Sequence, residues 1–122
     1  IRAICKAFPD IKRVEFVDKV VDELGVGESD LKTAWRGHFP LRPDDLKKMH
    51  ASGFTVGSHT RRHKILSRCT PGQLKMELGE SRKFIEDATG RPCLDFGYPN
   101  GGVGDFSAET GAAVREAGYR SA

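Results

Sequence analysis

Residues 43–122 alternate helical patterns with short apolar runs, and this alternation constrains the fold more than any other feature of the sequence. The helical patterns begin at proline, threonine or serine and end at glycine, and they cover residues 43–53, 70–90 and 107–118. The apolar runs that follow them are predicted to be strands and cover residues 54–57, 94–98 and 119–122. Strands that alternate with helices of this length favour parallel pairing through right-handed crossovers. The sequence therefore predicts an α/β fold with parallel strands.

The part of the chain before these elements carries one further helical pattern. Apolar side chains recur every three or four residues over residues 11–24, and Gly25 is a suitable end point for a helix. Residues 25–42 form a long connection that contains Trp35, and residues 31–35 are predicted to form a short helical turn. No pattern in this part of the chain points to a particular function.

Composition and charge exclude several classes of function. Lysine and arginine number 20 and aspartate and glutamate number 17, so the net charge is +3. The two signs of charge are interspersed along the chain. A surface that binds nucleic acid would usually show a broader basic stripe than this sequence has, so nucleic-acid binding is not expected. No apolar run approaches the roughly 20 residues that a membrane span needs. The sequence indicates neither an oligomeric state nor a cellular location.

The three cysteines do not form a metal-binding pattern. Cys5, Cys69 and Cys93 are widely spaced and include no CxxC pair, so a cysteine zinc site is not expected. The simplest interpretation is that they are small buried or half-buried thiols.

Two histidines directly follow the first predicted strand. That strand leads into Ser58, and His59 and His63 come next with a spacing of four. On a helical turn this spacing points both imidazoles the same way, and imidazole nitrogen binds zinc, iron, cobalt or nickel. A metal-ligand pair is one interpretation; a chance pair on a solvated helix or in a packed turn is another.

A catalytic zinc site usually has three protein ligands and one open position for water. A carboxylate would be the natural third ligand beside the two imidazoles. None has a compelling position in the sequence, and the candidates are Glu80, Asp95 and Asp105.

A glycine-rich loop, Tyr98-Pro-Asn-Gly-Gly102, follows the second predicted strand. Functional groups collect beyond the carboxyl ends of parallel strands, so this loop should lie near the histidines. A flexible loop here could aim a backbone N–H at an oxyanion during hydrolysis of an acyl group. Taken alone, the loop is more simply interpreted as an ordinary turn between a strand and a helix.

The histidine segment and the glycine-rich loop together resemble the polysaccharide deacetylase family, also called carbohydrate esterase family 4 or the NodB-homology domain. The first stretch is SGFTVGSHTRRHKILSRCTPGQLKMELGESRKFIEDATGRP, which contains the family's H-[ST]-x-x-H motif. The second is DFGYPNGGVGDFSAETGAAVREAGYRSA, which is similar to the third motif of the family in its Y-P-x-G variant. The segment PDDLKKMHASG resembles the helix that leads into the histidines, and the resemblance covers residues 40–122.

This resemblance implies a metal-dependent deacetylase that removes N- or O-linked acetyl groups from a carbohydrate. His59 and His63 match the metal ligands of the family, and zinc is the expected metal, with cobalt or nickel as alternatives. Asn100 matches the residue whose backbone N–H holds the oxyanion. Tyr98 and Pro99 would form a wall of the substrate groove.

The resemblance also implies a fold and a role for Thr60, which matches the hydroxyl residue that braces the loop holding the second histidine. The family fold is a distorted (β/α) barrel, which 122 residues cannot close. The first motif of the family, T-F-D-D-G, supplies a catalytic base and a third ligand, and residues 1–40 do not match it. The later motifs, with the general acid, are absent as well.

We therefore expect residues 1–122 to be an internal fragment of a single deacetylase domain, inactive when isolated. Two alternatives remain open. One is a catalytically inactive relative of the same fold that binds carbohydrate. The other is a structural metal site in an unrelated α/β domain.

Overall fold

The chain forms two units, Ile1–Pro40 and Leu41–Ala122. The structure is a computed structural model, and it describes residues 10–25, 27, 29–30 and 40–122. The predicted turn at residues 31–35, Trp35 and Cys5 lie outside the described residues.

The first unit contains helix α1, Asp10–Glu23, where the apolar spacing predicts a helix over residues 11–24. Gly25 follows with a φ of 61°, a conformation that glycine adopts at little cost. Its N–H donates to the carbonyl oxygen of Asp22 at 3.1 Å, which closes the last turn. The helix signals in this unit are therefore confirmed.

The second unit contains three helices and one short 3₁₀ turn. The elements are α2 (Pro43–Ala51), the 3₁₀ turn Leu66–Arg68, α3 (Pro71–Thr89) and α4 (Ala108–Glu116). Helices α2 and α4 both pack against α3. Within the described residues, no helix has the length and apolar character needed to cross a bilayer.

The ends of these helices follow the local signals in the sequence. Thr70 Oγ1 accepts a hydrogen bond from the N–H of Gln73, and Gln73 Oε1 accepts one from the N–H of Thr70, at 3.3 and 2.9 Å. This reciprocal pair is the predicted capping box at the start of α3. Gly90 ends the helix with a φ of 69°, and Ser107 caps α4.

The predicted strands are wrong in length. The described residues pair only through two isolated parallel bridges, Ser58 with Phe96 and Asp95 with Ser121. The central segment is bounded by Pro92 and Pro99, which have no N–H to donate to a longer ladder. The parallel direction is as predicted, but the described residues form no continuous strand and no barrel, and their regular structure is α-helical.

The core of the second unit lies between α3, α4 and the bridged segments. Its buried apolar residues are Leu66, Leu78, Ile85, Cys93, Phe96, Val114 and Tyr119. The hydroxyl of Tyr119 donates to the carbonyl oxygen of Leu78 at 2.9 Å, which joins the last bridged segment to the middle of α3. The C-terminal segment therefore packs against α3, and the histidine segment contacts the same helix.

Candidate functional site

The rings of His59 and His63 lie together, with centroids 4.9 Å apart and planes inclined by 72°. The helical turn that the spacing suggests is absent, because residues 59–63 form an irregular loop. Thr60 and His63 have positive φ angles of 66° and 56°, in the left-handed region that residues other than glycine rarely adopt. The expected proximity is therefore present, but a double kink of the backbone produces it. Strained backbone of this kind is concentrated at functional sites.

His59 is oriented by the backbone of the second bridged segment. Its Nδ1 lies 2.8 Å from the carbonyl oxygen of Gly97. A carbonyl oxygen only accepts hydrogen bonds, so Nδ1 carries a proton, and in the neutral ring the lone pair is then on Nε2. A Cβ atom at Gly97 would lie 3.4 Å from Nδ1, so the glycine allows this close approach.

Two contacts to α3 hold the loop that carries the histidines. The hydroxyl oxygens of Ser58 and Ser81 lie 2.8 Å apart, and the N–H of Arg62 donates to Glu77 Oε2 at 2.7 Å. Ser58 and Glu77 are each 2% exposed, and Ser81 is 8% exposed. The sequence patterns did not identify Glu77 and Ser81. Their signal is their spacing of four on the apolar stripe of α3, where polar residues are unexpected.

The bracing role of Thr60 remains a prediction. Its Oγ1 is buried and has no hydrogen-bond partner within the described part of the chain. An ion pair between Arg61 and Glu80 adds a contact on the exposed side of the loop.

The carboxylates considered as third ligands are engaged elsewhere. Asp95 accepts from the hydroxyl of Ser121, and Asp105 Oδ2 accepts from the N–H of Gly102 at 2.9 Å. Glu80 pairs with Arg61. No cluster of three or more histidine, cysteine or acidic side chains able to hold a metal occurs in residues 10–25, 27, 29–30 and 40–122. The donor set that the structure brings together at this loop is the two imidazoles of His59 and His63.

The glycine-rich loop begins directly beside His59 and is tied to the segment that follows the histidines. The Tyr98 ring lies between those of Phe96 and Phe106, with centroid distances of 5.2 and 5.3 Å. The hydroxyl of Ser67 donates to the carbonyl oxygen of Gly104 at 2.6 Å. Pro99 and Asn100 are half-buried. Tyr98 therefore packs against the core at the start of the loop, and Ser67 holds the backbone just after the end of the loop.

A cleft of about 610 Å³ adjoins His59 on the side of α2 and α3. Its lining residues are Leu46, Val56, Gly57, His59, Thr60, Arg61, Glu80, Ser81, Phe84 and Ile85. The polar and charged groups come from the histidine loop and from α3, and the apolar side chains come from the two helices and from Val56. One imidazole of the pair is thus accessible from an open, partly apolar space.

Comparisons with known proteins identify the family of this chain. The family model described as polysaccharide deacetylase matches residues 16–122. A protein of Bacillus subtilis (strain 168) named "Putative polysaccharide deacetylase YxkH" is 30% identical over 80 residues, which cover 66% of this chain and 28% of the relative. The chain thus spans just over a quarter of the length of this curated relative. No solved structure matches the chain. Because the family model covers most of the sequence, this chain belongs to the polysaccharide deacetylase family.

Proposed function

We propose that this chain carries the histidine pair and the oxyanion loop of a metal-dependent carbohydrate deacetylase. The reaction is hydrolysis of an acetyl group from a polysaccharide or an amino sugar. The observation that carries the proposal is the pairing of His59 and His63 at 4.9 Å, with Nδ1 of His59 bonded to Gly97. In metal sites, a ligating histidine usually donates its other ring N–H to a carbonyl or a carboxylate, as His59 does here.

The ring spacing fits a shared divalent metal. Two imidazoles bound to one tetrahedral zinc, with Zn–N of about 2.0–2.1 Å, have ring centroids about 5 Å apart. The ring centroids of His59 and His63 lie 4.9 Å apart, which is close to this spacing. The paired histidines supply two nitrogen donors, and no third ligand lies beside them among the described residues, so we propose that it comes from elsewhere in the whole protein. Zinc suits this donor chemistry best, and cobalt or nickel would also be accepted.

The residues of this chain have separable roles in the proposed reaction. A divalent metal supplies, when bound, polarisation of the acetyl carbonyl and a water of lowered pKa. Gly97 fixes the tautomer of His59, and the Asn100 backbone N–H is proposed to donate to the developing oxyanion. Tyr98 and Pro99 are proposed to border the sugar. The barrel of the family is the expected frame for this site.

The catalytic base and the general acid have no counterpart among the motifs of this chain. The T-F-D-D-G motif of the family has no match in residues 1–40, and no later histidine motif follows the glycine-rich loop. The complete reaction is therefore a proposal for the whole protein. This chain would contribute ligands and oxyanion binding.

A calorimetric titration with zinc tests the metal proposal. We expect His59→Ala and His63→Ala each to weaken zinc binding at least tenfold, because either substitution removes one of two donors. His50→Ala is the matched control, since His50 lies on α2 and faces a different cavity. Zinc binding that is unchanged in both site variants would overturn the proposal.

A second candidate function is carbohydrate binding without catalysis. The shortage of metal donors among the described residues favours it. Titration with an acetylated chito-oligosaccharide in the presence of a chelator separates the two. Binding that is independent of metal and of both histidines would support a binding module over a metal-dependent esterase.

A further inference from the structure

The residue before each histidine is tied to α3 by a buried polar side chain. Ser58 precedes His59 and pairs with Ser81, whereas Arg62 precedes His63 and donates its N–H to Glu77. Glu77 and Ser81 are four residues apart and thus lie on one face of the helix. One helical turn of α3 therefore contacts the loop immediately before both proposed ligands.

Ser81 connects the backbone of α3 to the histidine segment. Its hydroxyl lies within hydrogen-bond distance of the carbonyl oxygens of Glu77 and Leu78, at 2.7 and 3.1 Å. The hydroxyl oxygens of Ser58 and Ser81 lie 2.8 Å apart, and either of them can be the donor. The end of the first bridged segment is thus held to the helix immediately before His59.

Glu77 is an unfavourable residue for simple packing at its position. Its side chain is 2% exposed, and a buried carboxylate is costly unless it is hydrogen-bonded. The backbone N–H of Arg62 satisfies one oxygen at 2.7 Å, and a hydrogen bond to an ionised carboxylate is stronger than one between neutral groups. Arg62 lies between Thr60 and His63, which are the two non-glycine residues with positive φ in the described part of the chain. Strained backbone conformations persist only where the surrounding structure enforces them. The hydrogen bond from Arg62 to Glu77 is one contact that does so here.

We propose that Glu77 and Ser81 are positioning residues that set the separation and the direction of His59 and His63. The proposal rests on the proposed function, because the arrangement matters for catalysis only if the two imidazoles share a metal. Neither side chain ligates the metal in this account. Both act through the loop backbone.

Four variants separate positioning from general stability. Glu77→Met keeps the approximate length without an acceptor, and Glu77→Gln keeps an acceptor oxygen. Ser81→Ala removes one hydroxyl. Leu78→Ala is the control. Leu78 lies on the same helix and is 1% exposed, but its apolar side chain cannot form a hydrogen bond with residues 58–63.

Zinc affinity, measured by calorimetry on the 122-residue chain, is the first readout. Substitutions in the shell around metal ligands typically weaken binding by about 10–100-fold, and we expect this range for Glu77→Met. Glu77→Gln should recover most of the affinity, and Ser81→Ala should weaken binding by a smaller factor. Leu78→Ala should lower the melting temperature more than Ser81→Ala does, with zinc affinity close to that of the parent chain.

The second readout needs no metal. The ring protons of His59 and His63 should give a nuclear Overhauser effect in the parent chain, because the ring centroids are 4.9 Å apart. We expect this signal to be lost in Glu77→Met, weakened in Ser81→Ala and retained in Glu77→Gln and Leu78→Ala. If Glu77→Met does not fold, the comparison of Ser81→Ala with Leu78→Ala decides.

The outcomes distinguish this proposal from the metal proposal itself. Zinc binding that is unaffected by His59→Ala refutes the metal site, and the ring-to-ring signal still tests positioning. A different result would refute only the positioning role of Glu77 and Ser81. In that result zinc binding requires both histidines, but zinc affinity across the four variants falls only in step with the melting temperature. Retention of the ring-to-ring signal in folded Glu77→Met and Ser81→Ala refutes the positioning role as well.

Discussion

Nδ1 of His59 lies 2.8 Å from the carbonyl oxygen of Gly97, 38 residues further along the chain. This contact joins the two motifs that carry the family resemblance, the histidine segment and the glycine-rich loop. It fixes the tautomer of His59, so that Nε2 is available as a ligand. The same glycine leads into Tyr98, Pro99 and Asn100, and one contact therefore relates the proposed metal ligand to the proposed oxyanion donor.

Gly97→Ala should weaken zinc binding without unfolding the chain. A Cβ atom would lie 3.4 Å from Nδ1, at the limit of ordinary van der Waals contact, and even a small displacement of the imidazole would lengthen its hydrogen bond. We expect affinity to fall by up to about tenfold, the lower end of the range for groups that orient metal ligands. Gly101→Ala is the control, because a Cβ there meets no atom within 4 Å. Equal zinc affinities in the two variants would contradict the role assigned to Gly97.

Gly57→Ala should destabilise the second unit. The added Cβ would lie 3.0 Å from the carbonyl oxygen of Asp95, a backbone atom that cannot move without disturbing the bridge beside it. We expect a loss of about 1–3 kcal/mol in the free energy of unfolding, measured with urea. Gly79→Ala, at an exposed position within α3 with open space around it, should instead gain up to about 1 kcal/mol. Equal free energies of unfolding in the two variants would argue against the close approach of Gly57 to the backbone of Asp95.

The second unit should lose stability in alkaline solution. Burial raises the pKa of the Cys93 thiol, and burial likewise raises the pKa of the Tyr119 hydroxyl. A raised pKa means that the protonated group stabilises the folded state, and this stabilisation is lost as the pH rises through the folded-state pKa. Ionised Tyr119 could no longer donate to the carbonyl oxygen of Leu78.

Urea midpoints between about pH 7 and about pH 10 measure this loss, because thiols and phenols ionise near the upper end of that range. The parent chain should show a midpoint that falls with rising pH above the ordinary pKa of a thiol. The double variant Cys93→Ala, Tyr119→Phe should show a shallower fall. The same slope in both chains would mean that other groups dominate the alkaline transition.

The 122-residue chain alone should not deacetylate. With zinc or cobalt added, we expect no acetate release from acetylated chito-oligosaccharide, because no residue of the chain matches the aspartate base or the histidine acid of the family. A full-length deacetylase serves as the positive control. Robust turnover by the chain would show that its own residues supply both proton-transfer groups.

The helices were predictable because their signals are local. The Thr70–Gln73 capping box and the left-handed Gly90 are defined within a few residues of each helix end, and the structure has both. Strand lengths were not predictable in the same way. The bridges of Ser58, Asp95 and Ser121 depend on partners 26 to 38 residues away and on prolines that interrupt the ladder. An apolar run does not encode such pairing.

The proximity of the two histidines was predictable from the sequence, and the contacts that support their loop were not. The spacing of His59 and His63 correctly indicated that the rings lie together, although the backbone that brings them together is kinked and not helical. Glu77 and Ser81 gave only a weak signal, because the sequence does not reveal which loop packs over a polar residue on an apolar helix face. Their importance emerges from hydrogen bonds that span 15 and 23 residues.

The most direct test of the central claim is long-range ¹H–¹⁵N correlation spectroscopy of the histidine rings, recorded before and after addition of zinc. We expect Nδ1 of His59 to be protonated in both states, since it donates to the carbonyl oxygen of Gly97. On addition of zinc, the Nε2 signal of His59 and one ring nitrogen of His63 should shift together, while the His50 signals stay in place. Ring signals of His59 and His63 that do not respond to saturating zinc would contradict the account.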